Sequence, residues 1–144
     1  YKAADRALEM EEEGADIIDI GGESTRPGSK PISVKEELKR VLPVIERLKG
    51  KLKIPISIDT YKAEVAKQAI EAGACIVNDI SGLKFDHRMA SIVAEHKVAV
   101  ILMHIKGTPK DMQKNPKYNN LLKEIYDYLK DSIKIATEHG ISDD

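Results

Sequence analysis

Four short apolar runs punctuate the chain: "DIIDI" at 16–20, "IPISID" at 54–59, "ACIVND" at 74–79 and "VAVILMH" at 98–104. Their β-branched, continuously apolar character predicts strands buried on both faces. Between the runs the pattern takes on the helical period. An alanine- and glutamate-rich segment stops at Gly14, as a helix with a glycine C-cap does. Ser33 followed by Glu36 makes a capping box, and Val34, Leu38, Val41, Leu42, Ile45 and Leu48 share one face before Gly50, with Pro43 expected to kink the helix. Lys62 to Ala72 carries Val65, Ala66, Ala69 and Ile70 toward a core and ends at Gly73. Asp86 is placed to cap a short helix bearing Met89, Ile92 and Val93. A last helix is expected from about Asn119 to His139, with Leu122, Ile125, Leu129, Ile133 and Ala136 on its apolar side and Gly140 at its end.

The predicted order is α-β-α-β-α-β-α-β-α, and strands joined by helical crossovers pair in parallel. Two α/β architectures remain, a doubly wound sheet and a (β/α)8 barrel. An internal echo favours the barrel: "EEGADIIDIGG" and "EAGACIVNDISG" align from their glycines and set Asp19 of one strand against Asn78 of another. A complete barrel needs roughly 250 residues, so these four strands would make about half of one. No linker or low-complexity tract divides the chain, and residues 1–144 read as one partial barrel domain. The chain starts without Met and inside an element, which suggests a piece cut from, or ordered within, something longer.

Charge and composition narrow the partners more than the fold. Lys plus Arg number 23 against 24 Asp plus Glu, without blocks of either sign, so nothing argues for nucleic acid or an anionic membrane. No apolar stretch reaches membrane-span length, and the first ten residues do not read as a secretory signal. The single cysteine, Cys75, reads as a buried, inert thiol, and a reducing cytoplasmic setting fits it. The four histidines lie on separate elements without metal-ligand spacing, and no nucleophile-elbow pattern surrounds a serine. Met89, Met103 and Met112 read as core filler.

The candidate chemistry gathers where the strands end. In either architecture ligands bind outside the carboxyl ends of the strands, and here those ends are Asp19 with Glu23, Asp59 with Thr60, Asn78 with Asp79, and His104. Asp59 and Asn78 suit a flat heterocycle: a carboxylate accepts two N–H bonds from an amino-pyrimidine edge, and an amide matches one donor and one acceptor. The plain alternative for Asp59 is a cap on the helix starting near Tyr61. The loop "GGESTRPGS" after the first strand offers the hydroxyls of Ser24 and Thr25, the guanidinium of Arg26 and a Pro27-Gly28 turn, an anion grip in outline. It is neither a P-loop nor a dinucleotide fingerprint, and by composition alone a solvated loop outweighs a phosphate site.

Taken together, "DIIDIGGESTRPGS", "SIDTYKAEVA", "GACIVNDISG" and "LMHIKGTPKDMQKNPKY", in that order and spacing, closely resemble the dihydropteroate synthase family of pterin-binding enzymes, the folate-pathway target of sulfonamides. The resemblance implies a (β/α)8 TIM barrel and the condensation of 6-hydroxymethyl-7,8-dihydropterin diphosphate with p-aminobenzoate to 7,8-dihydropteroate and diphosphate. It implies that Asp59 and Asn78 hydrogen-bond the pterin ring. Thr25 and Arg26 then match the mobile loop that meets diphosphate and closes over p-aminobenzoate, so that Thr25, Arg26 and Asp59 are the expected catalytic set. Mg2+ is expected in the family, with its ligand before Tyr1; further pterin- and substrate-binding groups are expected after Asp144. A homodimer is expected for the full-length protein and little or no activity for this chain alone. The alternatives are a pterin-dependent methyltransferase acting on methyltetrahydrofolate and a non-catalytic module whose open sheet edges pair with another copy.

Overall fold

The computed structural model describes residues 2–142. It contains α1 (Lys2–Glu12), β1 (Ile18–Gly21), α2 (Val34–Leu48), β2 (Ile56–Asp59), α3 (Ala63–Ala72), β3 (Ile76–Asp79), α4 (Met89–His96), β4 (Ala99–Leu102) and α5 (Leu121–Glu138). The strands pair in parallel in the spatial order β1-β2-β3-β4. Right-handed crossovers between strands laid down in sequence put every connecting helix on the same side of the sheet. A doubly wound sheet reverses its order to cover both sides, so the unbroken sequence of strands decides for the (β/α)8 barrel plan.

The register assigns each strand residue to a face. Ile18 opposes Ile56, Ile20 opposes Ile58, Ile58 opposes Val77 and Val77 opposes Val100. This face packs on the helices, in one core with Val41, Ile45 and Leu48 of α2, Val65, Ala66 and Ala69 of α3, and Met89 and Val93 of α4. A fully buried Ile, Leu or Val contributes about 1.5–3 kcal/mol. The alternate residues, Asp19, Ser57, Asp59, Ile76, Asn78, Ala99 and Ile101, share the opposite face. That face is not covered by helices: Asp19 and Ala99 are exposed, and Ile101 is 44% exposed. The expectation of strands buried on both sides therefore holds for β2, where Ile56, Ser57 and Ile58 are all buried, and fails for β1 and β4, because the helices lie on one side.

Local chemistry accounts for most element ends. Ser33 caps α2 by accepting the Glu36 amide at 3.2 Å, but Glu36 turns to Arg40 at 2.9 Å, so only half of the capping box forms. The helix assignment runs uninterrupted through Pro43. Asp86 is not the N-cap of α4, a position held by Arg88 without a side-chain cap bond; it braces the turn that precedes the helix. Its Oδ1 accepts the Arg88 amide at 3.1 Å just before α4, while Oδ2 accepts the Ala63 amide at 3.0 Å at the start of α3.

Three further expectations need correction. Only Ser132 and Ala136 of α5 are buried, while Leu122 is 79% and Ile133 52% exposed, because α5 meets few other elements in this chain. Cys75 is exposed: it precedes β3, beyond the helix-covered part of the strand. Met89 is core, but Met103 follows β4 and is exposed. Among the described residues no helix is long and apolar enough to cross a membrane.

Candidate functional site and its loop

Asp59 ends β2 beside Asn78 of β3, its register partner, and opposite Gly21 of β1, from which the GGESTRPGS loop departs. Asn78 Nδ2 donates to Asp19 Oδ2 at 3.1 Å, so three adjacent strands bring an amide and two carboxylates to the open face. The cap reading of Asp59 is wrong. α3 starts at Ala63, whose amide goes to Asp86, and Thr60 Oγ1 takes the Lys62 amide at 3.2 Å. Instead Asp59 Oδ1 is buried without a hydrogen-bond partner, as is Ser57 Oγ two residues earlier on the same face. A buried acceptor left open costs free energy unless something fills it, so this pair marks a place shaped for a ligand or an ordered water.

The field at Asp59 is negative. Burial first, then Asp19, Glu37, Asp79 and Glu23, push its carboxyl up from 3.8 to about 6. A donor-rich, electron-poor ring edge relieves that field by pairing with the ionised carboxylate. Its neighbour Asp79 is fully buried and serves the backbone: it accepts the Ser81 amide at 2.8 Å, the Ser81 hydroxyl at 2.7 Å and the Leu83 amide at 3.0 Å. Burial raises its carboxyl and the Ser81 and Leu83 bonds oppose that rise. Asp79 therefore shapes the turn after β3.

The loop has a rigid neck and a loose tip. Gly22 lies so close to α2 that a Cβ there would sit 2.9 Å from Val41 Cγ1 and 3.0 Å from the Glu37 carbonyl. Beyond it, Thr25 is half-buried and Arg26 exposed; the Arg26 amide reaches Ser24 Oγ at 3.4 Å, and its guanidinium has no ion pair among the described residues. At the tip, where Gly28 adopts φ +79°, its amide donates to the Pro109 carbonyl at 2.9 Å, joining the loop after β1 to the loop after β4. Thus Asp59 and Asn78 are brought together, while Thr25 and Arg26 hang in the adjoining loop without bonding to either.

A network at the neck escaped the sequence reading. Lys62 Nζ donates to Glu23 Oε2 at 2.6 Å, Glu37 Oε2 at 2.5 Å and the Ile32 carbonyl at 3.0 Å. Thr60 Oγ1 donates to Glu37 Oε1 at 2.7 Å, and Tyr61 Oη donates to Glu23 Oε1 at 2.5 Å. The available signal was Glu37, a charged residue set three and four positions from Val34 and Val41 inside the apolar stripe of α2. A buried charge of that kind demands a partner.

One cavity adjoins this network and a second lies away from it. One of about 300 Å³ lies between the GGESTRPGS loop and the loop after β4, lined by Glu23, Ser29, Tyr61, Phe85, Pro109 and Lys110. Another of about 690 Å³ follows the free edge of β4 between α4 and α5, lined by Val93, Val98, Leu102, Ile133 and Ala136 among others. Neither includes Asp59 or Asn78, which face the uncovered side of the sheet. Among the described residues no group of three His, Cys, Asp or Glu is arranged to hold a metal ion.

A parallel (β/α) half barrel with a carboxylate and an amide at adjacent strand ends is the frame of a pterin-binding enzyme. The model of the pterin binding enzyme family matches residues 1–144, and the chain belongs to that family. Within it, the chain is 50% identical to the dihydropteroate synthase of Bacillus subtilis (strain 168) over 99% of its own length and 49% of that protein's. The dihydropteroate synthase of Yersinia pestis, solved as a sulfonamide drug complex, superposes with a TM-score of 0.92 at 40% identity, covering 97% of this chain and 50% of that one. The Clostridium difficile dihydropteroate synthase, solved in the presence of pteroic acid, gives a TM-score of 0.89 at 44% identity over 98% of this chain and 51% of that one. The chain spans about half the length of the relatives it matches.

Proposed function

We propose that the whole protein to which this chain belongs is a dihydropteroate synthase, a transferase that joins 6-hydroxymethyl-7,8-dihydropterin diphosphate to p-aminobenzoate. The observation that carries this reading is Asp59: a carboxylate with one buried, unpartnered oxygen, held beside Asn78 where the strands end. Asp59 accepts N–H bonds from the amino-pyrimidine edge of the pterin, and Asn78 matches its neighbouring donor and acceptor. Thr25 and Arg26, whose side chains bond to no other described residue, close over diphosphate and p-aminobenzoate.

In the reaction the C–O bond between the pterin methylene and diphosphate breaks, and the electron pair leaves with diphosphate. The pterin ring, held by Asp59 and Asn78, delocalises the positive charge left on the methylene. The arylamine nitrogen forms the new C–N bond and releases its proton to solvent. The guanidinium of Arg26 favours departure by stabilising charge on the leaving group. Mg2+ is expected with diphosphate in the whole protein, where it would neutralise charge on the leaving group, and no step runs through it. A homodimer in a reducing cytoplasmic setting completes the reading. This chain alone, with four strands of an eight-stranded plan, is expected to turn over little or no substrate.

The test is calorimetric titration of the intact protein with the pterin diphosphate, beside Asp59→Asn and Arg26→Ala variants. Tight binding by the wild type, weakened in both variants, supports the assignment. Absence of any pterin binding by the folded wild type sinks it.

A further inference from the structure

We propose that Glu23 and Lys62 form a clamp that fixes the neck of the GGESTRPGS loop and thereby positions Thr25 and Arg26 over the end of β2, an inference that rests on the synthase reading only for what the loop grips. Glu23 is the first residue of the loop with a side chain, and that side chain is 6% exposed. Its carboxylate accepts the amide of Ile32, nine residues on, at 2.7 Å. One side chain thus closes the loop across its own base. Lys62 repeats the closure from the other side, because its ammonium holds the Glu23 carboxylate and the Ile32 carbonyl together.

The clamp also has two fixed supports. Glu37, 1% exposed, ties the Lys62 ammonium to α2, and Arg40 Nη1 holds the Gly22 carbonyl at 3.0 Å. Lys62 itself lies three residues after Asp59, so the same cation connects the loop neck to the strand end that carries the ring-binding carboxylate. Between residues 23 and 32, by contrast, the side chains of Thr25 and Arg26 make no bond among the described residues. The segment is thus anchored at both ends and tethered at its tip by the Gly28 amide on the Pro109 carbonyl, while the Thr25 and Arg26 side chains stay uncommitted. The height of the arm that carries Thr25 and Arg26 is then set by the neck.

Glu23 and Lys62 are positioning residues, since their charged groups are committed to the neck. The Lys62 ammonium already donates to three acceptors, and the Glu23 carboxylate accepts three donors. Burial would raise the Glu23 carboxyl, but the Ile32 amide, Lys62 and Tyr61 together hold it below its ordinary value, so it stays an anion and the clamp stays closed at neutral pH.

The test uses the intact protein with Glu23→Gln and, as a milder lesion that removes one hydroxyl donor, Tyr61→Phe. Amide hydrogen exchange over residues 24–31, read without ligand, should rise roughly tenfold in Glu23→Gln and less in Tyr61→Phe. KM for p-aminobenzoate should rise by about tenfold in Glu23→Gln. Affinity for 6-hydroxymethyl-7,8-dihydropterin, which lacks diphosphate and touches only the ring site, should stay within about twofold. A purely structural role predicts the opposite split, with ring affinity and KM worsening together as the folded fraction falls, and that result overturns the proposal. Unchanged exchange and KM in folded Tyr61→Phe and Glu23→Gln overturn it as well. Should the wild type bind no pterin at all, the synthase reading fails, while the exchange measurement still decides the clamp.

Discussion

The two faces of the sheet come from the same four strands, residue by alternate residue, yet they follow different rules. On the helix side Ile18, Ile58 and Val77 are buried among aliphatic neighbours from α2, α3 and α4, and each position is set by shape. On the other side Asp19, Ser57, Asp59 and Asn78 are set by hydrogen-bonding capacity, and two of their polar atoms, Ser57 Oγ and Asp59 Oδ1, are buried without a partner. A one-residue slip of register would exchange the two sets. The scaffold face accordingly gains stability from burial, while the site face gives some up to leave open acceptors for a ligand.

That contrast can be broken in graded steps. The largest stability loss belongs to the helix side: Ile58→Ala should cost about 2–5 kcal/mol in urea unfolding and leave ring affinity unchanged in whatever remains folded. Asp59→Asn should do the reverse, lowering pterin affinity about 10–100-fold in calorimetry, as the loss of charged hydrogen bonds does. It should also raise stability at pH 7 by of order 1 kcal/mol, allowing for solvent screening on the open face. Arg26→Ala should weaken diphosphate-dependent binding about tenfold without a measurable change in Tm, since its guanidinium supports no other described residue. Ser33→Ala, which removes the cap of α2, should cost about 1 kcal/mol. Leu122→Ser, on the uncovered part of α5, should change the stability of the 144-residue chain by less than about 0.5 kcal/mol.

Acid separates stability from binding. The Asp59 carboxyl titrates at about 6 when folded against an ordinary 3.8, so the folded state takes up a proton between those values that the unfolded chain does not. Its contribution to stability therefore rises as pH falls through about 6. Pterin affinity should fall over the same interval, because the protonated carboxyl no longer accepts both ring N–H bonds. Parallel melting and titration series at pH 5 and pH 7.5 would read the two trends on one sample.

The scaffold was largely legible because helices and parallel strands announce themselves through period and punctuation. The ends of α2 and α3 follow Ser33, Gly50 and Gly73, and the strand ends Asp59, Asn78 and Asp79 stand where the runs suggested. What stayed hidden depends on who sits opposite whom. The apolar look of the strands carried no information that one face lacks cover, since Ile76 and Ile101 read the same whether or not another layer meets them. The apolar side of α5 was legible as a pattern, but its burial is a property of neighbours. The Glu23–Lys62–Glu37 clamp unites residues up to 39 positions apart, and only the misplaced charge at Glu37 hinted at it. Asp86, which joins the turn before α4 to the start of α3, is a similar long-range economy, invisible to a cap rule that looks three residues ahead.

The bond from the Gly28 amide to the Pro109 carbonyl has a consequence of a different kind. β1 and β4 are the outermost strands of the sheet, so this single contact spans the mouth like a strap, over the tops of β2 and β3. Both of its atoms belong to the main chain. Truncating side chains one by one would pass over it in silence, and a scan that found both loops tolerant would miss that they travel as a pair. Only a change to the backbone itself, such as an ester in place of the Gly28 amide, deletes the donor and lets each loop keep its own time.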